Sequence, residues 1–143
     1  MSAKFFLDTN VFVYVFDTRA PEKSDLALKL VRSAIKTRRG VVSYQVVQEF
    51  FSVAFSRFAK PMLVSEAEYH LTSMFRPLLT VHSSPRLFLE AIRLRDAHRF
   101  SWYDSLIVSA ALEAGCETLY SEDFQSGRVV EGLRIENPFG NSA

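Results

Sequence analysis

Hydrophobic residues along this chain fall in short unbroken runs that alternate with longer stretches repeating every three to four positions. Phe5-Phe6-Leu7 is the first run and reads as a buried strand. From Pro21 or Ser24 onward, Leu26, Ala27, Leu30, Val31, Ala34 and Ile35 share one helical stripe, and Arg38-Arg39-Gly40 supplies the cations and glycine that suit a helix C-terminus. Val41-Val42-Ser43 predicts a second strand, and the helix after it, from Tyr44 to about Phe58, carries Val46, Val47, Phe50, Phe51, Ala54, Phe55 and Phe58. Ser65-Glu66-Ala67-Glu68 has the form of a capping box and predicts a further helix start. Leu78-Leu79-Thr80-Val81 predicts a third strand. Ser84-Pro85 opens a helix whose buried stripe is Leu87, Phe88, Ala91 and Ile92. A helix from Trp102 to Ala114 stops at Gly115, and Thr118-Leu119-Tyr120 and Leu133-Arg134-Ile135 add two more strands.

Strands alternating with helices predict an α/β fold, a central parallel sheet of about five short strands flanked by helices. No repeat, low-complexity tract or linker divides the chain, so residues 1–143 read as a single domain. With 143 residues, 48% of them hydrophobic, the chain can bury one sizeable core without staples. Its only cysteine is Cys116, which rules out an intramolecular disulfide and fits a reducing compartment such as the cytoplasm. The apolar run from Phe5 to Phe16 is broken by Asp8 and Asn10 and lacks a small-residue cleavage site, which argues against a signal peptide. No run approaches the roughly 20 apolar residues of a membrane span, so no membrane association is expected.

Four acids stand out against this apolar background. Asp8 closes the first strand, Glu49 is the lone acid in the apolar helix after the second, Asp104 lies in the first turn of the helix opened by Ser101, and Asp123 follows Leu119-Tyr120-Ser121-Glu122. A carboxylate set against apolar elements must be paired, neutralised or bound to a cation. In a parallel sheet the ligand crevice lies beyond the carboxyl ends of the strands, where Asp8 and Asp123 fall. Four oxygen donors meeting there would suit a hard divalent cation such as Mg2+ or Mn2+. Each acid also has a local alternative: a turn for Asp8 and Asp123, a helix boundary for Glu49, and a capping box Ser101-x-x-Asp104. Asn10 reads either as a helix N-cap or as a group orienting a ligand.

Formal net charge is only +1, but the 16 acids less those four leave 12 against 17 basic residues, a balance of +5. If the four acids hold cations, the remaining surface suits a polyanion. His70, His82 and His98 show no metal-ligand spacing. No glycine-rich phosphate loop and no Gly-x-Ser-x-Gly elbow is present. Three function classes stay open on the residues alone: a metal-dependent phosphodiesterase, a binding module that does not cut, and a phosphoryl-transfer enzyme with an aspartyl nucleophile at Asp8.

Leu7-Asp8-Thr9-Asn10-Val11, Val47-Gln48-Glu49-Phe50, Trp102-Tyr103-Asp104-Ser105-Leu106-Ile107 and Leu119-Tyr120-Ser121-Glu122-Asp123-Phe124 resemble, in order, the acidic motifs of PIN-domain ribonucleases. More closely, they resemble those of the VapC-type toxins of toxin–antitoxin pairs. Ser121 stands where the family often has threonine, and the hydroxyl is kept. The resemblance implies a parallel sheet flanked by helices and Mg2+- or Mn2+-dependent, single-strand-selective RNA endonucleolysis. It implies Asp8, Glu49, Asp104 and Asp123 as catalytic metal ligands, with Asn10 and Ser121 orienting them. It further implies products with a 5′-phosphate and a 3′-hydroxyl, a cognate antitoxin protein, a homodimer and a cytoplasmic setting.

Overall fold

The computed structural model describes residues 3–140. Strand β1 (Phe5–Leu7) leads into helix α1 (Thr9–Val15) and then α2 (Pro21–Thr37). Strand β2 (Gly40–Ser43) runs directly into α3 (Tyr44–Ser56), and α4 (Val64–His70) continues as a π-helical turn, Leu71–Phe75. Strand β3 (Leu79–Val81), the mutually packed helices α5 (Pro85–His98) and α6 (Trp102–Glu113), and strands β4 (Thr118–Tyr120), β5 (Val129–Val130) and β6 (Leu133–Glu136) complete the described chain. The sheet order is β3-β2-β1-β4-β6-β5, parallel throughout except for β5, which pairs antiparallel with β6.

The N-terminal strand therefore lies at the centre of the sheet, with β2 on one side and β4 on the other. Its residues explain the position: Phe6 and Leu7 are fully buried, as suits a strand covered on both faces. Phe12, Phe50 and Phe75 join them in an aromatic core, Phe75 lying 4.7 Å from Phe12 and 5.0 Å from Phe50 between ring centroids. Helix α6 is apolar on every side, and its residues from Ser105 to Ala111 are buried between α5 and the sheet. Its two deep hydroxyls are both satisfied by backbone carbonyls: Ser105 Oγ donates to Ser101 at 2.8 Å and Ser109 Oγ to Leu87 at 2.9 Å. Helix α2 approaches β2 so closely that a Cβ built on Gly40 would lie 2.1 Å from Ala34 Cβ. Gly40→Ala is thus expected to cost about 3 kcal/mol by overpacking, read as a lower midpoint in urea denaturation with the slope unchanged.

Several sequence expectations are corrected. Among the described residues there are six strands where about five were expected, the extra one being β5, only two residues long. Helix α1 was foreshadowed only by the N-cap reading of Asn10; its cap is Asp8, and Asn10 lies in its first turn. Ser65 is not the cap of α4: the cap is Leu63, two residues earlier, and Glu66 accepts the Leu63 backbone N–H at 3.0 Å. Leucine has no side-chain acceptor, so only the glutamate half of a capping box exists. On α5 the buried stripe is Leu87, Ala91 and Leu94, while Ile92 is 56% and Phe88 36% exposed. Asp17 forms an ion pair with Arg19 at 3.2 Å. Cys116 is buried, and desolvation pushes its thiol up to about 12, which makes it a poor nucleophile.

Candidate active site

Parallel pairing places the carboxyl ends of β1, β2 and β4 along one edge of the sheet. Leu7 pairs with Tyr120, so the residues just beyond them, Asp8 and Ser121, come face to face. Asp8 caps α1 and accepts the Thr9 N–H at 2.7 Å and the Ser121 hydroxyl at 2.8 Å. Ser121 Oγ in turn accepts the Asp123 N–H at 3.1 Å, which fixes the turn after β4. Glu49 projects from α3, the helix that follows β2 without a connecting loop, and accepts the Thr9 hydroxyl at 2.9 Å. Asn10 donates to Asp123 Oδ2 at 3.1 Å and accepts the Glu122 N–H at 3.3 Å. Asp104 enters from the first turn of α6, where its backbone N–H donates to Ser101 Oγ at 3.1 Å. The serine half of the expected capping box is therefore formed, while the Asp104 side chain lines the cleft.

Asp8, Glu49, Asp104 and Asp123 all line one open cleft of about 270 Å³. No Lys, Arg, His or Cys shares that lining. Asp8 is only 4% exposed, and its carboxyl is pushed up to about 7, chiefly by loss of hydration. The hydrogen bonds from Ser121 and Thr9 oppose that rise, and the charges of Asp123 and Glu49 add to it. Burial also raises the Asp104 carboxyl, Ser101 opposing and the Asp123 charge adding. In both acids desolvation outweighs the repulsion of the neighbouring carboxylates.

Among the described residues, no three acidic, His or Cys side chains are already drawn into a closed metal cage. Each of three acids is instead tethered by a neutral donor: Asp8 by Ser121, Glu49 by Thr9 and Asp123 by Asn10. The donor set still fits a hard cation. It consists of oxygen alone, it carries up to four negative charges with no cation of its own, and the cleft has room for an ion and several waters at about 30 Å³ each.

Other residues of the site carry no sequence signal. Thr9 contributes both a backbone and a hydroxyl donor to the acids. Gln45 is buried beside the cleft, and its amide donates to the Tyr103 carbonyl at 3.2 Å, tying α3 to α6. Its Oε1 has no hydrogen-bond partner. Glu122, beside Asp123, accepts from Tyr14 at 2.6 Å and from Lys23 at 2.8 Å, which anchors the β4 turn to α1 and α2.

Four acids thus gather beyond the carboxyl ends of the central strands of an α/β sheet. The chain belongs to the PIN domain family, whose model matches residues 5–131. Among solved structures, a toxin–antitoxin complex from Klebsiella pneumoniae is similar at 16% identity, over 96% of this chain and 98% of that one, with a TM-score of 0.66. VapBC2 from Rickettsia felis, bound to a DNA fragment from its promoter, is similar at 20% identity, over 93% and 97%, with a TM-score of 0.64. VapC20 of Mycobacterium tuberculosis, a toxin that cleaves the sarcin–ricin loop, is similar at 19% identity, over 84% and 90%, with a TM-score of 0.61. No curated protein matches the chain. Among the described residues, no helix is long and apolar enough to cross a membrane.

Proposed function

We propose that this chain is a metal-dependent endoribonuclease acting on single-stranded RNA as the toxin of a toxin–antitoxin pair. The observation that carries the reading is the cleft in which Asp8, Glu49, Asp104 and Asp123 meet, with Asp8 buried and short of a positive partner. These four residues would hold one or two Mg2+ or Mn2+ ions, with Asn10 and Ser121 orienting Asp123 and Asp8. A bound ion would supply an acidified water and neutralise the charge that develops on the phosphoryl and leaving oxygens. The chain's own contribution is positional. Ser121 and the Thr9 N–H keep Asp8 aimed into the cleft, Thr9 Oγ holds Glu49, and the fully buried Phe6, Leu7 and Leu119 beneath them keep the strand ends rigid.

The similar structures support the partner assignment: complexes of toxin with antitoxin, one of them on promoter DNA, share this fold. We extend that to a cognate antitoxin, a homodimer and a cytoplasmic setting for this chain. The test is to sequence the RNA ends left by the purified, partner-free protein with and without Mg2+ or Mn2+. Ends bearing a 5′-phosphate and a 3′-hydroxyl, produced only with the cation, are expected. Intact RNA under both conditions would replace this reading with that of a binding module on the same fold.

A further inference from the structure

Beside the acidic cleft, and sharing Val13 with it, lies a second cleft of about 320 Å³ with the opposite electrical character. Arg19, Arg57 and Lys60 line it over a wall that includes Phe16 and Phe58, whose rings are 5.9 Å apart. Its one acid, Asp17, is occupied by Arg19, accepting the Arg19 N–H at 2.9 Å and Nε at 3.2 Å. Among the described residues, Arg57 and Lys60 form no ion pair.

The helices align the two clefts. On α3, Glu49, Val53 and Arg57 recur at every fourth position, a single stripe that begins at the acids and ends, about 12 Å further along the axis, at the first of the cations. Helix α1 runs the same way: Thr9 and Asn10 at the acidic end, Val13 between, Phe16 just past its basic end. A cation at Arg57 also offsets the negative end of the α3 dipole. That role explains one charge; it does not explain Arg19 and Lys60 on the same cleft, or the aromatic wall beneath them.

We propose that this second cleft is a subsite for the single-stranded RNA flanking the cut, with backbone phosphates on Arg57 and Lys60 and a base against the Phe16–Phe58 wall. The proposal rests on the ribonuclease reading and adds to it how the substrate is held. A cleft of four acids repels a polyanion, so affinity has to come from elsewhere on the surface. Paired cations supply it through counterion release, and an aromatic wall accepts any base face, giving binding without sequence preference.

The test uses the full chain in EDTA, where nothing is cut, and a short fluorescein-labelled single-stranded RNA of mixed sequence, titrated by anisotropy over a range of salt concentrations. Arg57→Ala/Lys60→Ala is expected to bind about tenfold more weakly at low salt, with the slope of log Kd against log salt reduced by roughly 1.4, the loss of two phosphate contacts to a single strand. Lys29→Ala/Lys36→Ala, which removes the same charge from α2, is expected to leave the slope near that of the unmodified protein. Equal affinity and slope for Arg57→Ala/Lys60→Ala and the unmodified protein would overturn the subsite and leave the basic cleft to a protein partner, even if the RNA is cleaved in Mg2+. The expected loss of affinity in a protein that never cleaves RNA in Mg2+ or Mn2+ would uphold the subsite and overturn the nuclease reading instead.

Discussion

Asp104→Asn is expected to lower RNA cleavage by about three orders of magnitude, near 4 kcal/mol of transition-state stabilisation, while the protein stays folded. Asparagine keeps the size of the side chain and a carbonyl acceptor but loses the charge a cation needs. The backbone bond from residue 104 to Ser101 Oγ is untouched by the change. What the helix loses is an acid in its first turn, worth no more than about 1 kcal/mol. Relief from the neighbouring Asp123 charge, which raises the Asp104 carboxyl, works against even that loss. RNA affinity should persist, since basic residues outside the acidic cleft supply the phosphate contacts. Melting, RNA binding and RNA cleavage measured on one preparation separate the roles. Undiminished cleavage by a folded Asp104→Asn protein would leave the residue as a helix-start acid and nothing more.

Asp8→Asn should act on stability in a way that reverses with pH and with metal. Burial moves the Asp8 carboxyl from its ordinary value near 3.8 to about 7. Between those values the folded chain keeps a proton that the unfolded chain has released, so stability falls as pH rises through this window and the full cost is reached above pH 7. Three pKa units correspond to roughly 4 kcal/mol, an upper figure because the site relaxes. Asparagine has no charge to desolvate but gives up part of the bonding to Thr9 and Ser121. The metal-free variant is therefore expected to be more stable than the unmodified protein by about 2 kcal/mol at pH 8, and less stable by up to about 2 kcal/mol near pH 4, where Asp8 is neutral and only the lost bonding counts. Mg2+ at about a hundred times its Kd should stabilise the unmodified protein by about 2.7 kcal/mol, a rise of some 8 °C in Tm for a domain of this size, and stabilise Asp8→Asn far less. Thermal melts at the two pH values, with and without Mg2+, decide the matter. An Asp8→Asn protein that keeps the full metal response would remove Asp8 from the set of cation ligands.

The fold was legible where periodicity was clean and hidden where burial was complete. Helix α2 shows its stripe because one face meets water. Helix α1 does not: Val11, Phe12, Val13, Tyr14 and Val15 are apolar in succession, and a short helix covered by α2 and α3 has no reason to alternate. Strand β5 is two valines held in place by β6, a tertiary pairing with no local signature. On α5 the choice between Phe88 and Leu94 turned on where α6 lies against it, which the sequence of α5 does not record. All four acids were legible, because a carboxylate next to an apolar run is costly unless it has a purpose. Thr9 and Gln45 were not, since neutral polar side chains occur anywhere and become part of a site only through what they touch.

The central place of β1 has a consequence for synthesis on the ribosome. Its neighbour β4 lies more than a hundred residues further along the chain, and the Ser121 that anchors Asp8 follows that strand. A nascent chain therefore displays Asp8, Glu49 and Asp104 before the strand that completes their arrangement has been made. At about 5–20 residues per second, the 19 residues from Asp104 to Asp123 take roughly 1–4 seconds, during which the polypeptide holds three of the acids and none of the assembled cleft. The cleft is assembled only when Asp123 has emerged and β4 has closed against β1.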